Sequence, residues 1–120
     1  MDLGIRGKQA IVCASSRGLG RACALALAEA GVSVVINGRD PVKLHEAAED
    51  IRQATGVPVT PVAADVGTSE GQAALLAVCP EPDILVNNNS GPPFRDFRTL
   101  DREALLAGVT MNMVTPIELI

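Results

Sequence analysis

Tyrosine and tryptophan are absent from these 120 residues, and phenylalanine occurs only twice, so no phenolic proton donor is available within them. Histidine is reduced to His45, set on a predicted helix among Lys43, Glu46 and Glu49. One histidine excludes a histidine-based triad and a multi-histidine metal site, and a solvated or half-buried structural place is expected for it. The three cysteines, Cys13, Cys23 and Cys79, are odd in number and lack C-x-x-C spacing. That argues against a disulfide framework and a zinc site, and predicts buried thiols and no metal. No apolar run approaches the length of a membrane span, and Met1 to Arg6 lacks the apolar region of a signal peptide, which predicts a cytoplasmic protein with no membrane partner. Ten basic residues against fourteen acidic ones give a net charge of −4 and form no cluster, so no nucleic-acid partner is expected.

What is present is a 48% hydrophobic chain with its 11 glycines and 8 prolines spread along it, the composition of one globular domain. Its most informative stretch is Cys13-Ala14-Ser15-Ser16-Arg17-Gly18-Leu19-Gly20, between an apolar run from Gln9 and an alanine-rich helical pattern from Arg21 to Ala30. Strand, small-residue turn and helix together present backbone N–H groups to a phosphate, because the first helical turn has unpaired donors and the positive end of the dipole. Gly18-Leu19-Gly20 begins like G-x-G-x-x-G, but Cys23 stands at the third glycine position. A nucleotide or dinucleotide cofactor is predicted from the turn, and the rest of the chain must decide which.

The pattern continues as alternating strands and helices. Lys8 to Ala14 reads as a buried strand, and Gly18 to Ala30 as a helix with Leu19, Cys23, Ala26, Leu27 and Ala30 on one face, closed by Gly31. Ser33 to Asn37 is a second strand. Asp40-Pro41 offers an N-cap with proline at the first helical position, opening a helix through Leu44, Ala47, Ala48 and Ile51 that ends near Gly56. Val57 to Ala64 is a third strand, Ser69 to Gln72 has capping-box spacing for a helix from Ala73 to Cys79, and Asp83 to Asn87 is a fourth strand. A loop follows from Asn88 to Thr99, and Asp101 caps a last helix toward Ile120. Such alternation gives right-handed βαβ units, hence an α/β, Rossmann-type parallel sheet of order 3-2-1-4 with helices on both faces. Ligands then bind where the order reverses, beside the Ala14–Gly20 and Asn87–Gly91 turns.

Taken jointly, Ala14 to Gly20, Ala64-Asp65-Val66, Asp83 to Asn88 and Asn112 resemble the N-terminal half of the short-chain dehydrogenase/reductase family, and most closely its 3-oxoacyl-(acyl-carrier-protein) reductase-like members. The resemblance covers essentially the whole chain. It departs at Cys13-Ala14, where the family has Thr-Gly, and at Asn87-Asn88-Asn89-Ser90, where it has N-N-A-G. The resemblance implies hydride transfer between a nicotinamide cofactor and a small carbonyl or alcohol substrate, in a homo-oligomer when full length. Ser15, Ser16, Arg17, Gly18, Leu19 and Gly20 are the expected cofactor turn. Asp65 and Val66 are expected at the adenine, and Asn88, Asn89 and Ser90 at the nicotinamide ribose.

A site selective for NAD places an acid after the second strand, and this chain has Asn37-Gly38-Arg39 there, with Asn37 and Arg39 expected at the cofactor. Arg39 and Arg17 converging on a 2′-phosphate favour NADP(H) over NAD(H), as the resemblance also implies. Pro116 has no N–H to return to the carbonyl of Asn112, so a free carbonyl and a local kink are expected. The resemblance gives Asn112 a catalytic place, its carbonyl holding a water in the proton relay. The family's Tyr and Lys are missing. Residues 1–120 are therefore read as an incomplete cofactor-binding part, since Thr115 to Ile120 stops in apolar helical pattern and strand four is left as an open edge. Two other classes stay open: a non-catalytic nucleotide-binding module, and an S-adenosylmethionine-dependent methyltransferase, which usually has an acid after strand two.

Overall fold

A computed structural model describes residues 1–89 and 95–120. Four parallel strands, β1 (Gln9–Val12), β2 (Ser33–Gly38), β3 (Val59–Ala63) and β4 (Ile84–Val86), form one sheet in the order β3-β2-β1-β4. Around it run α1 (Gly18–Glu29), α2 (Pro41–Thr55), α3 (Ser69–Val78), α4 (Arg102–Val109) and α5 (Thr115–Leu119), the last two joined by a π-helical turn over Thr110–Val114. β1 pairs with β2 through Ala10 opposite Val34 and with β4 through Ala10 opposite Ile84, so β1 is central and β4 is the edge.

Side chains alternate across a strand, so continuous apolar runs imply burial on both faces. Ala10 and Val12 of β1 and Val34 and Ile36 of β2 join Ala24 and Ala28 of α1 and Leu44, Ala47, Ala48 and Ile51 of α2 in one core cluster. Ile11, Cys13 and Val35 point the other way, to Val62, Val66, Leu75 and Cys79, with Leu119 of α5 against them. The sheet is thus covered by α1 and α2 on one face and by α3 and α5 on the other.

Local signals place most boundaries. Asp40 caps α2 as expected, its Oδ1 accepting from the N–H of Val42 at 3.0 Å and Lys43 at 3.4 Å, with Pro41 following. Gly56 closes α2 at φ 74°, a left-handed conformation that a glycine adopts without a Cβ penalty. Asp101 caps α4 by accepting from Ala104 N–H at 2.8 Å. The α3 cap departs from expectation: Thr68, not Ser69, accepts from Gly71 N–H at 3.0 Å, while Gln72 reaches past the cap to the Val66 carbonyl at 3.0 Å.

A second correction concerns α1. Its buried residues are Gly20, Ala24 and Ala28, whereas Leu19 and Cys23 are exposed. The smallest side chains face the sheet because the helix starts directly beside β1, and a close approach selects for a small-residue face over a large one. Cys23 is thereby the exception to buried thiols, while Cys13 and Cys79 lie in the core. Burial pushes both of those thiols up, Cys79 with the Asp83 carboxylate adding to the effect. Of these three cysteines, Cys23 alone is expected to react with a maleimide in the native protein, Cys13 and Cys79 only after unfolding. Peptide mapping after labelling checks this, and modification of Cys13 at the rate of Cys23 would contradict it.

His45 is exposed on α2, as expected of a solvated residue. No helix among the described residues is long and apolar enough to cross a membrane, and none of their His, Cys, Asp and Glu side chains form a metal-binding group.

Candidate cofactor site

A cavity of about 630 Å³ opens at the C-terminal ends of the strands, between the β1–α1 turn, the end of β2, the end of β3 and α4. This volume falls within the roughly 300–1,000 Å³ of small-molecule and cofactor sites, and the place is the reversal of strand order. Ser16, Arg17, Gly18, Asn37, Arg39, Asp65, Val66, Asn88 and Asn89 all line it. Residues up to 73 positions apart in the sequence thus converge, because parallel strands put all their C-terminal turns on one edge.

The turn after β1 approaches α1 closely. A Cβ on Gly20 would lie 2.2 Å from the Ala14 carbonyl oxygen and 2.9 Å from Asn88 Nδ2, so only glycine fits. Gly18 has φ 60°. Arg17 stands at the N-cap of α1 with no side-chain hydrogen bond to the helix, which leaves the first N–H donors to an incoming acceptor. Gly38 supplies room at the end of β2: a Cβ there would meet Ser16 Cβ at 3.2 Å and Oγ at 3.3 Å.

Arg17, Arg39 and Lys43 bring three cations to this cavity. The ion pairs among the described residues are Arg21–Asp50, Arg52–Glu49 and Arg98–Asp96, so none of the three is neutralised by a carboxylate. Asp40 also lines the cavity, but its Oδ1 serves the α2 cap. Asp65 is likewise engaged, with Oδ1 accepting from Gly67 N–H at 2.8 Å. Thr68 further ties the Asp65 carbonyl, donating from N–H at 3.1 Å and from Oγ1 at 2.8 Å.

Several residues singled out by the sequence lie elsewhere. Ser15 is fully buried and turned inward, Oγ donating to the Val12 carbonyl at 2.7 Å and accepting from Asn37 N–H at 2.9 Å. Leu19 is 82% exposed and is not part of the cavity wall, and Gly20 packs beneath the turn. Val66 reaches the cavity but is 4% exposed, with its side chain in the core. Ser90, with the rest of 90–94, lies outside the described residues.

Asn112 lies in the π-helical turn, where Thr115 N–H donates to the Thr110 carbonyl. This widened turn falls where Pro116 withholds its N–H, the place at which a kink is expected. The Asn112 side chain is exposed and donates to the Gly108 carbonyl at 2.9 Å, away from the cavity.

The three asparagines after β4 each reach a different element. Asn87 Nδ2 donates to the Pro116 carbonyl at 3.2 Å, Asn88 Nδ2 to Ala14 at 3.1 Å and Asn89 Nδ2 to Met111 at 3.2 Å. They hold α5, the β1 turn and the π-helical turn around the end of the central sheet. Sequence reasoning missed Lys43 and the wall on the α4 side, made by Ala107 of α4 with Thr110 and Met111 of the π-helical turn. Lys43 was recoverable, being in the first turn of a helix that starts beside β2. The α4 wall was not, because it depends on the path of the chain between β4 and α4.

A doubly covered parallel sheet with a cationic, helix-capped cavity at its reversal point defines a Rossmann-type nucleotide-binding fold. The chain belongs to the short-chain dehydrogenase/reductase family, whose short chain dehydrogenase model it matches over residues 8–120. It is similar to an uncharacterized oxidoreductase, YvaG, of Bacillus subtilis, 43% identical over 89 residues that cover 73% of this chain and 34% of the relative. L-xylulose reductase of Cavia porcellus is 32% identical over 113 residues, covering 94% of this chain and 44% of its own length. Among solved structures, L-sorbose reductase from Gluconobacter frateurii, in complex with NADPH and L-sorbose, superposes with a TM-score of 0.91 at 33% identity over 99% of this chain and 47% of that one. The chain therefore spans less than half the length of these relatives.

Proposed function

We propose that the protein carrying this chain is an NADP(H)-dependent oxidoreductase acting on a small carbonyl or alcohol, and that residues 1–120 hold its cofactor. The observation that carries this reading is the meeting of Arg17, Arg39 and Lys43 in one cavity with the open N-terminus of α1. A 2′-phosphate fits that donor set: guanidinium forks pair with phosphate oxygens bidentately, while the nearby Asp40 carboxylate is taken up by its own helix. The adjacent Ser16 and the N–H groups of Arg17 and Gly18 suit the pyrophosphate, and Asp65 with the Val66 wall suits the adenine end. When bound, the nicotinamide supplies the hydride. The NADPH-bound L-sorbose reductase and the name L-xylulose reductase among the relatives support both cofactor and substrate class.

In this reading Asn112 serves through its backbone carbonyl, since its side chain is bonded to its own helix and Pro116 offers that carbonyl no N–H. The tyrosine and lysine that move the substrate proton come from a further segment. The apolar side chains exposed along α4, the π-helical turn and α5, among them Leu105, Leu106, Val109, Met113 and Ile117, and the edge of β4 left unpaired among the described residues support a segment packing there. Homo-oligomeric assembly and a cytoplasmic location belong to the same proposal.

Fluorescence titration of the full-length protein with NADPH, NADH and S-adenosylmethionine tests it. NADPH is expected to bind at least about tenfold tighter than NADH, a difference of ~1.4 kcal/mol. No binding of NADPH would overturn the reading, and NADPH binding without turnover of any carbonyl substrate would leave a non-catalytic module.

A further inference from the structure

Asn37 stands where the sequence marks a cofactor contact, yet its polar groups are engaged within the protein. It is 2% exposed. Its Oδ1 accepts from the Ala14 N–H at 3.2 Å, and its two Nδ2 hydrogens go to the carbonyls of Val62 at 3.2 Å and Ala64 at 3.0 Å. Only this orientation of the amide meets one donor with an acceptor and two acceptors with donors. The backbone of Asn37 is tied to the same turn, its carbonyl accepting from Ser15 N–H at 2.7 Å and its N–H donating to Ser15 Oγ at 2.9 Å.

Ala14 is the place where this matters. It has φ 47°, the one non-glycine in the left-handed region among the described residues. A residue with a Cβ adopts that conformation at a cost of roughly 1–2 kcal/mol. A glycine here would take it unaided, whereas alanine has to be held. It is held from both sides: Asn37, at the end of β2, takes its N–H, and Asn88, after β4, donates to its carbonyl. β2 and β4 are the two strands that flank β1.

We infer that Asn37 is a positioning residue: its amide holds Ala14 in the left-handed region and ties the cofactor turn to the end of β3. The Ser16–Gly18 donors and the Ala64–Asp65 wall thereby keep one fixed spacing across the cavity. This inference rests on the reading of that cavity as an NADP(H) site. Loss of any buried amide lowers stability, so stability alone does not separate positioning from packing. What separates them is that the effect on cofactor binding passes through Ala14. Without Asn37 an alanine is driven back to negative φ and carries the turn with it; a glycine has no such drive.

The experiment measures the NADPH dissociation constant and Tm of the full-length protein for Asn37→Ala, for Asn37→Ala with Ala14→Gly, and for Ile51→Val as a core substitution away from the cavity. Asn37→Ala is expected to weaken NADPH about tenfold, the size of one lost hydrogen bond. Adding Ala14→Gly is expected to recover about threefold or more. Ile51→Val lowers Tm and leaves NADPH affinity within about twofold. If Asn37→Ala does not fold, Asn37→Thr, which suits a strand and fills most of the volume, takes its place in the same pair. Wild-type NADPH affinity in the Asn37 variant, or no recovery with Ala14→Gly, overturns the inference while the cofactor reading stands. A wild-type protein that does not bind NADPH overturns the cofactor reading and this inference with it.

Discussion

Gly20→Ala is expected to destabilise the fold by ~3 kcal/mol or more and to abolish cofactor binding. The added Cβ would sit 2.2 Å from the Ala14 carbonyl oxygen, 2.9 Å from its carbonyl carbon and 2.9 Å from Asn88 Nδ2. None of these is the loose end of a side chain. The Ala14 carbonyl belongs to a turn pinned on both sides, and the Asn88 amide is one of the pins. Relief therefore requires α1 to move off β1, which opens the Gly20, Ala24 and Ala28 contact and displaces the N–H donors that face the cavity. Gly56→Ala supplies the comparison. Its Cβ would meet nothing within 4 Å, and its φ of 74° leaves only backbone strain, about 1 kcal/mol with no effect on the cofactor. Urea unfolding with NADPH titration distinguishes the two; equal stabilities for these variants would refute the close-packing argument.

Arg39→Gln is expected to weaken NADPH about 100-fold and NADH by no more than about threefold, which collapses the preference between them. Charge-assisted bonds to phosphate contribute roughly 1.5–3 kcal/mol each, and 100-fold corresponds to ~2.7 kcal/mol. Arg39 is exposed at the end of β2, enters none of the ion pairs among the described residues and faces the same cavity as Arg17 and Lys43. If the proposed NADP(H) site is right, its loss removes a contact that only the 2′-phosphate makes, so the two cofactors should respond unequally. The wild-type preference should also shrink as salt rises, since exposed charges are screened. Parallel losses for NADPH and NADH would place Arg39 outside the 2′-phosphate site.

Much of this protein is legible from local signals. Asp40-Pro41, Gly56 and Asp101 mark helix ends through contacts within a few residues of themselves, and the apolar runs of β1 and β2 announce a sheet buried on both faces. The alternation of strands and helices then leaves few topologies, and with right-handed crossovers helices cover both faces only if the chain turns back past β1, as the 3-2-1-4 order does. Arg17, Arg39 and Asp65 were placed at one edge by that topology alone.

Direction within the site is another matter. Ser15 and Ser16 are adjacent and chemically identical, yet one is sealed against Val12 and Asn37 and the other lines the cavity. The choice depends on how β2 meets the turn, with Asn37 lying 22 residues from Ser15. Helix α1 buries Ala24 rather than Leu19 because the sheet is too near for a larger face. The asparagines after β4 divide among α5, the β1 turn and the π-helical turn through partners 29, 74 and 22 residues away.

The sequence by itself therefore determined the family's fold, the glycine turn between β1 and α1 and the lack of tyrosine, because those reside in short-range chemistry and composition. Only the tertiary structure decided that Asn37 turns its amide to Ala14 and β3 instead of to a ligand. A hydrogen-bonding side chain goes to the partner that would otherwise be buried unpaired, and that partner is known only once the strands are side by side.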